Sequence, residues 1–336
     1  MIIVNRYSYR LLSILLAVAF IACESIQEVD ENTSLTKVME IDGNADIELY
    51  FSPGEMAVNS TGRIFITDPI AMKVLAFDAM GNYLFDFGRP GEAPGEFNSM
   101  SFRCDIDSND NLYIVDNPCW IQMFDSEGEY LKEILPDVEK IIDMAVFSPN
   151  TIFLSSAAYT NWNDFHPIIR VNQEGVVVNR FGYVDVDIEN MPNWEKFAVS
   201  SCVIDVDDEG YLYYTSIVDY RVFKYDLEGN LIFTVKGETP FEASYEPQPP
   251  YGQRTLSPVI VDLCVAENRI YVLWGQGFDE RGSRVDVFDK DSGEILGYFY
   301  TQLASDQHNV FIEIYNGTDF YTASYDDALV CKFEMN

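Results

Sequence analysis

A turn followed by a short β-type strand recurs six times along this chain, and that recurrence limits the folds open to it more than any other feature. Ser60-Thr61-Gly62-Arg63-Ile64-Phe65-Ile66-Thr67-Asp68 returns as Asn109-Asp110-Asn111-Leu112-Tyr113-Ile114-Val115-Asp116, and later as Glu209-Gly210-Tyr211-Leu212-Tyr213-Tyr214-Thr215-Ser216. Strands of this kind start at 64, 112, 152, 212, 270 and 320, so successive copies are 48, 40, 60, 58 and 50 residues apart. Each copy is rich in β-branched and aromatic residues and too short for a packed helix. Periods of this size belong to propeller blades, in which one repeat is one four-stranded sheet.

The rest of each repeat supplies the other strands. Val74-Leu75-Ala76-Phe77-Asp78, Ile121-Gln122-Met123-Phe124-Asp125, Val222-Phe223-Lys224-Tyr225-Asp226 and Val285-Asp286-Val287-Phe288-Asp289 read as third strands. Each is followed by a glycine turn (Gly81, Gly128, Gly229, Gly293) that leads into a fourth. Glycine suits such turns because it reaches positive φ without a Cβ clash. The last repeat ends after its third strand, Leu329-Val330-Cys331-Lys332-Phe333, while an alternating segment at 36–41 precedes the first repeat without a partner. The sequence therefore predicts an all-β, six-bladed propeller over 35–336, about 50 residues per blade, with the N-terminal strand completing the last blade and removing its open edge.

Composition narrows the function. The chain is 48% hydrophobic and carries a formal net charge of -34. That field repels phosphate backbones, so nucleic acid is excluded as a partner, and a self-closed ring is expected to be monomeric. Only His166 and His308 are present, too few for a three-histidine zinc site. No Gly-x-Ser-x-Gly elbow, P-loop or His-Glu-x-x-His motif occurs.

The N-terminus reads as an export signal over 1–22: Arg6 and Arg10 precede an apolar run from 11 to 22 that is too short to span a bilayer. The run ends Phe20-Ile21-Ala22-Cys23, which resembles the lipobox of bacterial lipoproteins, so Cys23 is the expected lipidation site. The acidic stretch 23–34 then reads as a tether. These features predict an outer-membrane lipoprotein, held to the membrane through Cys23, on the periplasmic or cell-surface side.

Gly88-Arg89-Pro90-Gly91-Glu92-Ala93-Pro94-Gly95-Glu96-Phe97 resembles the blade linker of NHL-repeat-like propellers, and the strand endings at Asp68 and Asp116 match that repeat. With the lipobox, the chain resembles the six-bladed β-propeller lipoproteins of Bacteroides-type bacteria. That resemblance implies the fold but no common reaction. Lactonase-like propellers hold a calcium ion in the central channel, and resemblance to them would make Glu55, just before the first inner strand, a metal ligand. Asp105-x-Asp107-x-Asn109 and Asp205-x-Asp207-x-Glu209 begin like calcium loops, but both lack the closing Glu and lie where a strand turn is expected.

Loop length points to one working face. The long insertions, at 159–166, 182–198, 236–257 and 274–283, all join strand two to three or blade to blade, and those loops share one face of a propeller. They are rich in aromatics, of which Trp162, Trp194, Tyr251, Trp274 and Phe278 are the candidate ligand-binding residues. The leading expectation is a non-enzymatic binding or scaffolding propeller with a protein or glycan partner and no cofactor. The alternative is a calcium-dependent hydrolase or lactonase with its site at the central channel.

Overall fold

A computed structural model describes residues 35–42, 53–116, 119–157, 165–183, 193–248, 253–277, 281–302, 309–324 and 328–335. The expectations placed on 1–22, Cys23 and the tether lie outside these residues, as do Trp162, Tyr251 and Phe278.

Six four-stranded antiparallel sheets form the ring. Blade one is β2 (Met56–Val58), β3 (Ile64–Asp68), β4 (Lys73–Phe77) and β5 (Tyr83–Phe87). Blade two is β6 (Met100–Ile106), β7 (Leu112–Asp116), β8 (Trp120–Phe124) and β9 (Tyr130–Ile134). Blade three is β10 (Ile141–Ser148), β11 (Thr151–Ser156), β12 (Ile168–Val171) and β13 (Val177–Phe181). Blade four is β14 (Cys202–Val206), β15 (Leu212–Ser216), β16 (Arg221–Tyr225) and β17 (Leu231–Lys236). After a hairpin of β18 (Ser244–Gln248) and β19 (Gln253–Ser257), blade five is β20 (Ile260–Ala266), β21 (Arg269–Trp274), β22 (Arg284–Asp289) and β23 (Ile295–Tyr300). Blade six is β24 (Asn309–Tyr315), β25 (Asp319–Ser324) and β26 (Leu329–Met335), with β1 (Leu35–Asp42) as its outer strand.

The expected closure is present. β1 pairs antiparallel with β26 from Leu35↔Met335 to Asp42↔Leu329, so the first and last described strands share one sheet and close the ring. Two of the insertions expected as loops carry structure of their own. The connection from blade three to four contains helix α1 (Asn193–Ser200), and that from blade four to five contains the β18–β19 hairpin.

Burial explains the strand sequences. Second strands are buried on both faces, as in Leu112 to Asp116, because each is covered by a neighbouring blade on either side. Outer strands alternate instead, since their far side meets water. The apolar core divides into six clusters, each at a junction between two blades. Phe87 of blade one meets Phe124 of blade two at 4.9 Å, and Phe181 of blade three meets Tyr225 of blade four at 5.2 Å. Each fully buried aromatic contributes about 1.5–3 kcal/mol, so stability resides between blades as much as within them.

Turns between strands three and four repeat one device. Asp78, Asp125, Asn172, Asp226 and Asp289 accept backbone N–H groups of their own turns. Glycine follows at positive φ; at Gly229 (φ +82°) a Cβ would also stand 2.8 Å from the Phe181 ring of the preceding blade. Cations from one blade cap the same turn of the next. Arg63 reaches Ser126 O, Lys132 reaches Gln173 O at 2.8 Å, Arg170 reaches Leu227 O, and Lys224 reaches Lys290 O at 3.0 Å.

Candidate functional site

The inner strands carry an acidic pattern with a two-blade period. In blades one, three and five the order is acid, apolar, small, valine: Glu55-Met56-Ala57-Val58, Asp143-Met144-Ala145-Val146 and Asp262-Leu263-Cys264-Val265. In blades two, four and six the acid comes two places further along, so that it faces the same side: Arg103-Cys104-Asp105, Val203-Ile204-Asp205 and Phe311-Ile312-Glu313. Inner strands surround the axis, so each blade delivers one carboxyl group to the channel. All six line one cavity of about 50 Å3, together with Met56, Cys104, Met144, Ile204, Leu263, Phe311 and Ile312.

Both sets reach the next blade. Glu55, Asp143 and Asp262 accept the backbone N–H of the next blade at Cys104 (2.8 Å), Ile204 (2.8 Å) and Ile312 (2.7 Å). Asp105 and Asp205 accept from Val146 and Val265, both at 2.6 Å, again one blade onward. The four aspartates also take the N–H of the following residue with their other oxygen: Ile106, Met144, Val206 and Leu263. The carboxylates therefore stitch adjacent inner strands together, with acceptors supplied where no β-ladder runs between blades.

Arg103 supplies the counter-charge. Its Nη1 lies 2.9 Å from Glu55 Oε1, and its Nε donates to Ile142 O at 3.2 Å and stands 3.4 Å from Asp143 Oδ1. Burial opposes its charge, but Asp143, Glu55 and Asp262 outweigh that and hold its pKa above the ordinary value. The acids are also raised, which for them favours the neutral form. Desolvation lifts Asp105 and Asp262 to about 7. It lifts Glu55, Asp205 and Glu313 well above the usual carboxylate range, and the facing acids add to it. The Cys104 thiol is raised in the same way, so it stays protonated and is a poor nucleophile.

Glu55 stands at the channel, where resemblance to metal-bearing propellers put it, but both its oxygens are engaged by Arg103 and Cys104 N–H. Among the described residues no group of three or more His, Cys, Asp or Glu is arranged to hold a metal ion. The two motifs that begin like calcium loops split apart. Asp105 and Asp205 point to the neighbouring blade, whereas Asp107 accepts Asn109 and Asn111 N–H and Asp207 accepts Glu209 and Tyr211 N–H as turn residues. Asp68 and Asp116 also cap backbone, at Ile70 and Ala71 and at Asn98 and Ser99.

The aromatic candidates fare unevenly. Trp274 is corrected: it is 5% exposed, and its ring packs at the boundary of blades four and five against Phe241 at 5.1 Å. The ring ends β21, so it turns into the inter-blade core before the loop begins, and it offers no open plate to a ligand. Trp194 belongs to α1, which lies in the expected long connection. The channel acids and Arg103 went unread as a set, although the shared acid-apolar-small-valine order was visible and would have aligned them.

The family described as DUF5128, 6-bladed beta-propeller, matches residues 52–224. No curated protein matches the chain. Among solved structures, it is similar to a streptogramin B lyase (12% identity, TM-score 0.56, covering 92% of this chain and 100% of that one). It is also similar to selenomethionine-substituted virginiamycin B lyase from Staphylococcus aureus (12%, TM-score 0.53, covering 84% and 80%). A catalytically inactive variant of the Staphylococcus aureus enzyme with quinupristin gives 13% identity and a TM-score of 0.54, covering 87% and 86%. At such identities the likeness is one of fold.

Proposed function

The chain belongs to the 6-bladed beta-propeller family DUF5128, and we propose that it is a binding or scaffolding propeller, anchored to the outer membrane through lipidated Cys23, that uses its long-loop face for a protein or glycan partner. One observation carries the non-enzymatic part. Five of the six channel carboxyls are engaged in bonds that hold blade to blade: Asp105, Asp143, Asp205 and Asp262 each accept two backbone N–H groups, and Glu55 is closed by Arg103 and Cys104. An acid committed in this way is a poor metal ligand or proton shuttle, because freeing it strands a buried N–H. The elaborated connections, with α1 and the β18–β19 hairpin on either side of blade four, supply the surface.

A channel-sited, calcium-dependent hydrolase is the second reading, favoured by the convergence of six acids on one cavity. Elemental analysis of the full-length protein, purified without chelator, followed by calorimetric calcium titration after stripping, separates the two. Stoichiometric calcium of micromolar affinity would overturn the binding reading and direct a screen of lactones and esters. Absence of calcium uptake supports it. The anchor is tested by labelling with a radioactive fatty acid: Cys23→Ala should abolish both label and membrane association.

A further inference from the structure

Neither the channel nor the family accounts for an array of rings and guanidinium groups on blade five. Asp286 is 1% exposed and accepts three hydrogen bonds, from Tyr220 Oη (2.6 Å), Arg284 Nε (2.6 Å) and Trp274 Nε1 (3.0 Å). These bonds hold Arg284 between two rings, its guanidinium carbon 4.2 Å from the Trp274 centroid and 3.9 Å from that of Tyr298. Tyr298 meets Tyr300 edge to face at 5.9 Å and 89°, and the exposed Arg281 covers Tyr300 at 3.7 Å. The Arg284 side chain keeps 16% of its surface, and no described residue accepts from its Nη1 or Nη2.

Every member of the array lies at one rim. Arg284 opens β22, Tyr300 closes β23, and the two residues pair in the sheet. Arg281 is tied to the same place by Gln302 N–H, which donates to its carbonyl at 2.7 Å. Strand three begins and strand four ends on the face that carries the long connections, so this rim belongs to the face already proposed to work.

The chemistry follows from the constraint. With Nε tied to Asp286 and the plane clamped by two rings, the outer edge of Arg284 is a pre-organised planar fork. Such a fork matches a carboxylate with two parallel N–H···O bonds and loses little side-chain entropy on binding. Two guanidiniums side by side also make a local attraction for anions in a chain of net charge -34. Tyr298 and Tyr300, half-buried and perpendicular, each have one face covered by a guanidinium, Arg284 and Arg281, and the part of each ring left exposed, with its hydroxyl group, suits a rigid pyranose better than a flexible acidic side chain.

We propose that the rim of blade five is a site for a carboxylate-bearing sugar, a uronate unit of an acidic glycan. The carboxylate sits on Arg284 with Arg281 beside it, and the ring packs against Tyr298 and Tyr300. This deepens the binding reading and rests on it. Trp274 keeps a part, as the inner plate that sets Arg284 in place.

The test is calorimetric titration of the full-length protein in detergent with a tetragalacturonate, its methyl ester and tetraglutamate. The free-acid sugar should bind, the ester at least about tenfold more weakly, and tetraglutamate more weakly than the sugar. Arg284→Lys keeps the charge but loses the fork, so at least about tenfold in affinity should go with it. Tyr300→Ala and the exposed Arg281→Gln should each weaken binding, and they keep the test decisive if Arg284→Lys perturbs folding. Equal binding of acid and ester, unchanged affinity in all three variants, tighter binding of tetraglutamate, or no sugar binding would each overturn the site. Stoichiometric calcium uptake at micromolar affinity would sink the wider binding reading. Failure of the sugar to bind, without calcium uptake, sinks this site alone.

Discussion

The buried channel acids make stability depend on pH in an unusual direction. Asp262 has its carboxyl pushed up to about 7, chiefly by desolvation, and Asp105 likewise. In the unfolded chain both return to about 3.9. Between roughly pH 4 and pH 7 the folded protein therefore holds protons that the unfolded chain has released, and stability falls as pH rises through that window. A displacement of about 3 pH units corresponds to about 4 kcal/mol for one group when fully expressed. Part of that fall lies below pH 5, so about 2 kcal/mol for each of the two acids is the expected loss from pH 5 to pH 8. Around Asp262 stand Arg103 and Asp143, and Asp205 and Glu313 also interact with it. Surface acids held low by their turns, such as Asp78, Asp226 and Asp289, add stability that is lost only as pH falls through their lowered pKa values, below this window. Urea unfolding followed by tryptophan fluorescence at pH 5, 6, 7 and 8 reads the effect as a falling midpoint. Asp262→Asn should lower the midpoint at every pH, because its amide opposes Leu263 or Ile312 N–H, yet flatten the pH dependence by about one group's share. A midpoint that is level or rises from pH 5 to pH 8 would refute the reasoning, as would an unchanged slope in Asp262→Asn.

Three further outcomes follow from the packing. Arg103→Met leaves Glu55 and Asp143 buried without their cation, and should cost about 3–5 kcal/mol near neutrality and less at pH 5, read from the same urea curves. Ile41→Ala empties a buried position on the closing strand opposite Val330, and should cost about 2–4 kcal/mol; a thermal midpoint equal to the parent would argue that β1 adds nothing to closure. Of the described cysteines, all free, only Cys119 is not buried, so a thiol reagent should label it in the native protein, whereas Cys104, Cys202, Cys264 and Cys331 should react only after unfolding.

The blade count, the strand positions and the closing segment were all legible in the sequence. The second strand at 64–68 and the unpartnered alternation at 36–41 are local patterns, and local patterns survive in a linear string. The third-to-fourth turns were legible for the same reason, since Asp226 and Gly229 interact within four residues of each other. The channel was not. Glu55 and Asp143 are far apart in the chain, and what joins them is an arginine lying between them. The array on blade five was hidden likewise: Tyr220 and Asp286 meet across a blade boundary, and Trp274 reads as a loop aromatic until the neighbouring blade covers it. By itself, then, the sequence determined the repeat, the turn chemistry and the ring, because each is set by residues near one another along the chain. Only the tertiary structure decided which acids share a cavity, which cation compensates them and which aromatics remain open. Burial, and the electrostatics that burial amplifies, belong to a residue's neighbours in space.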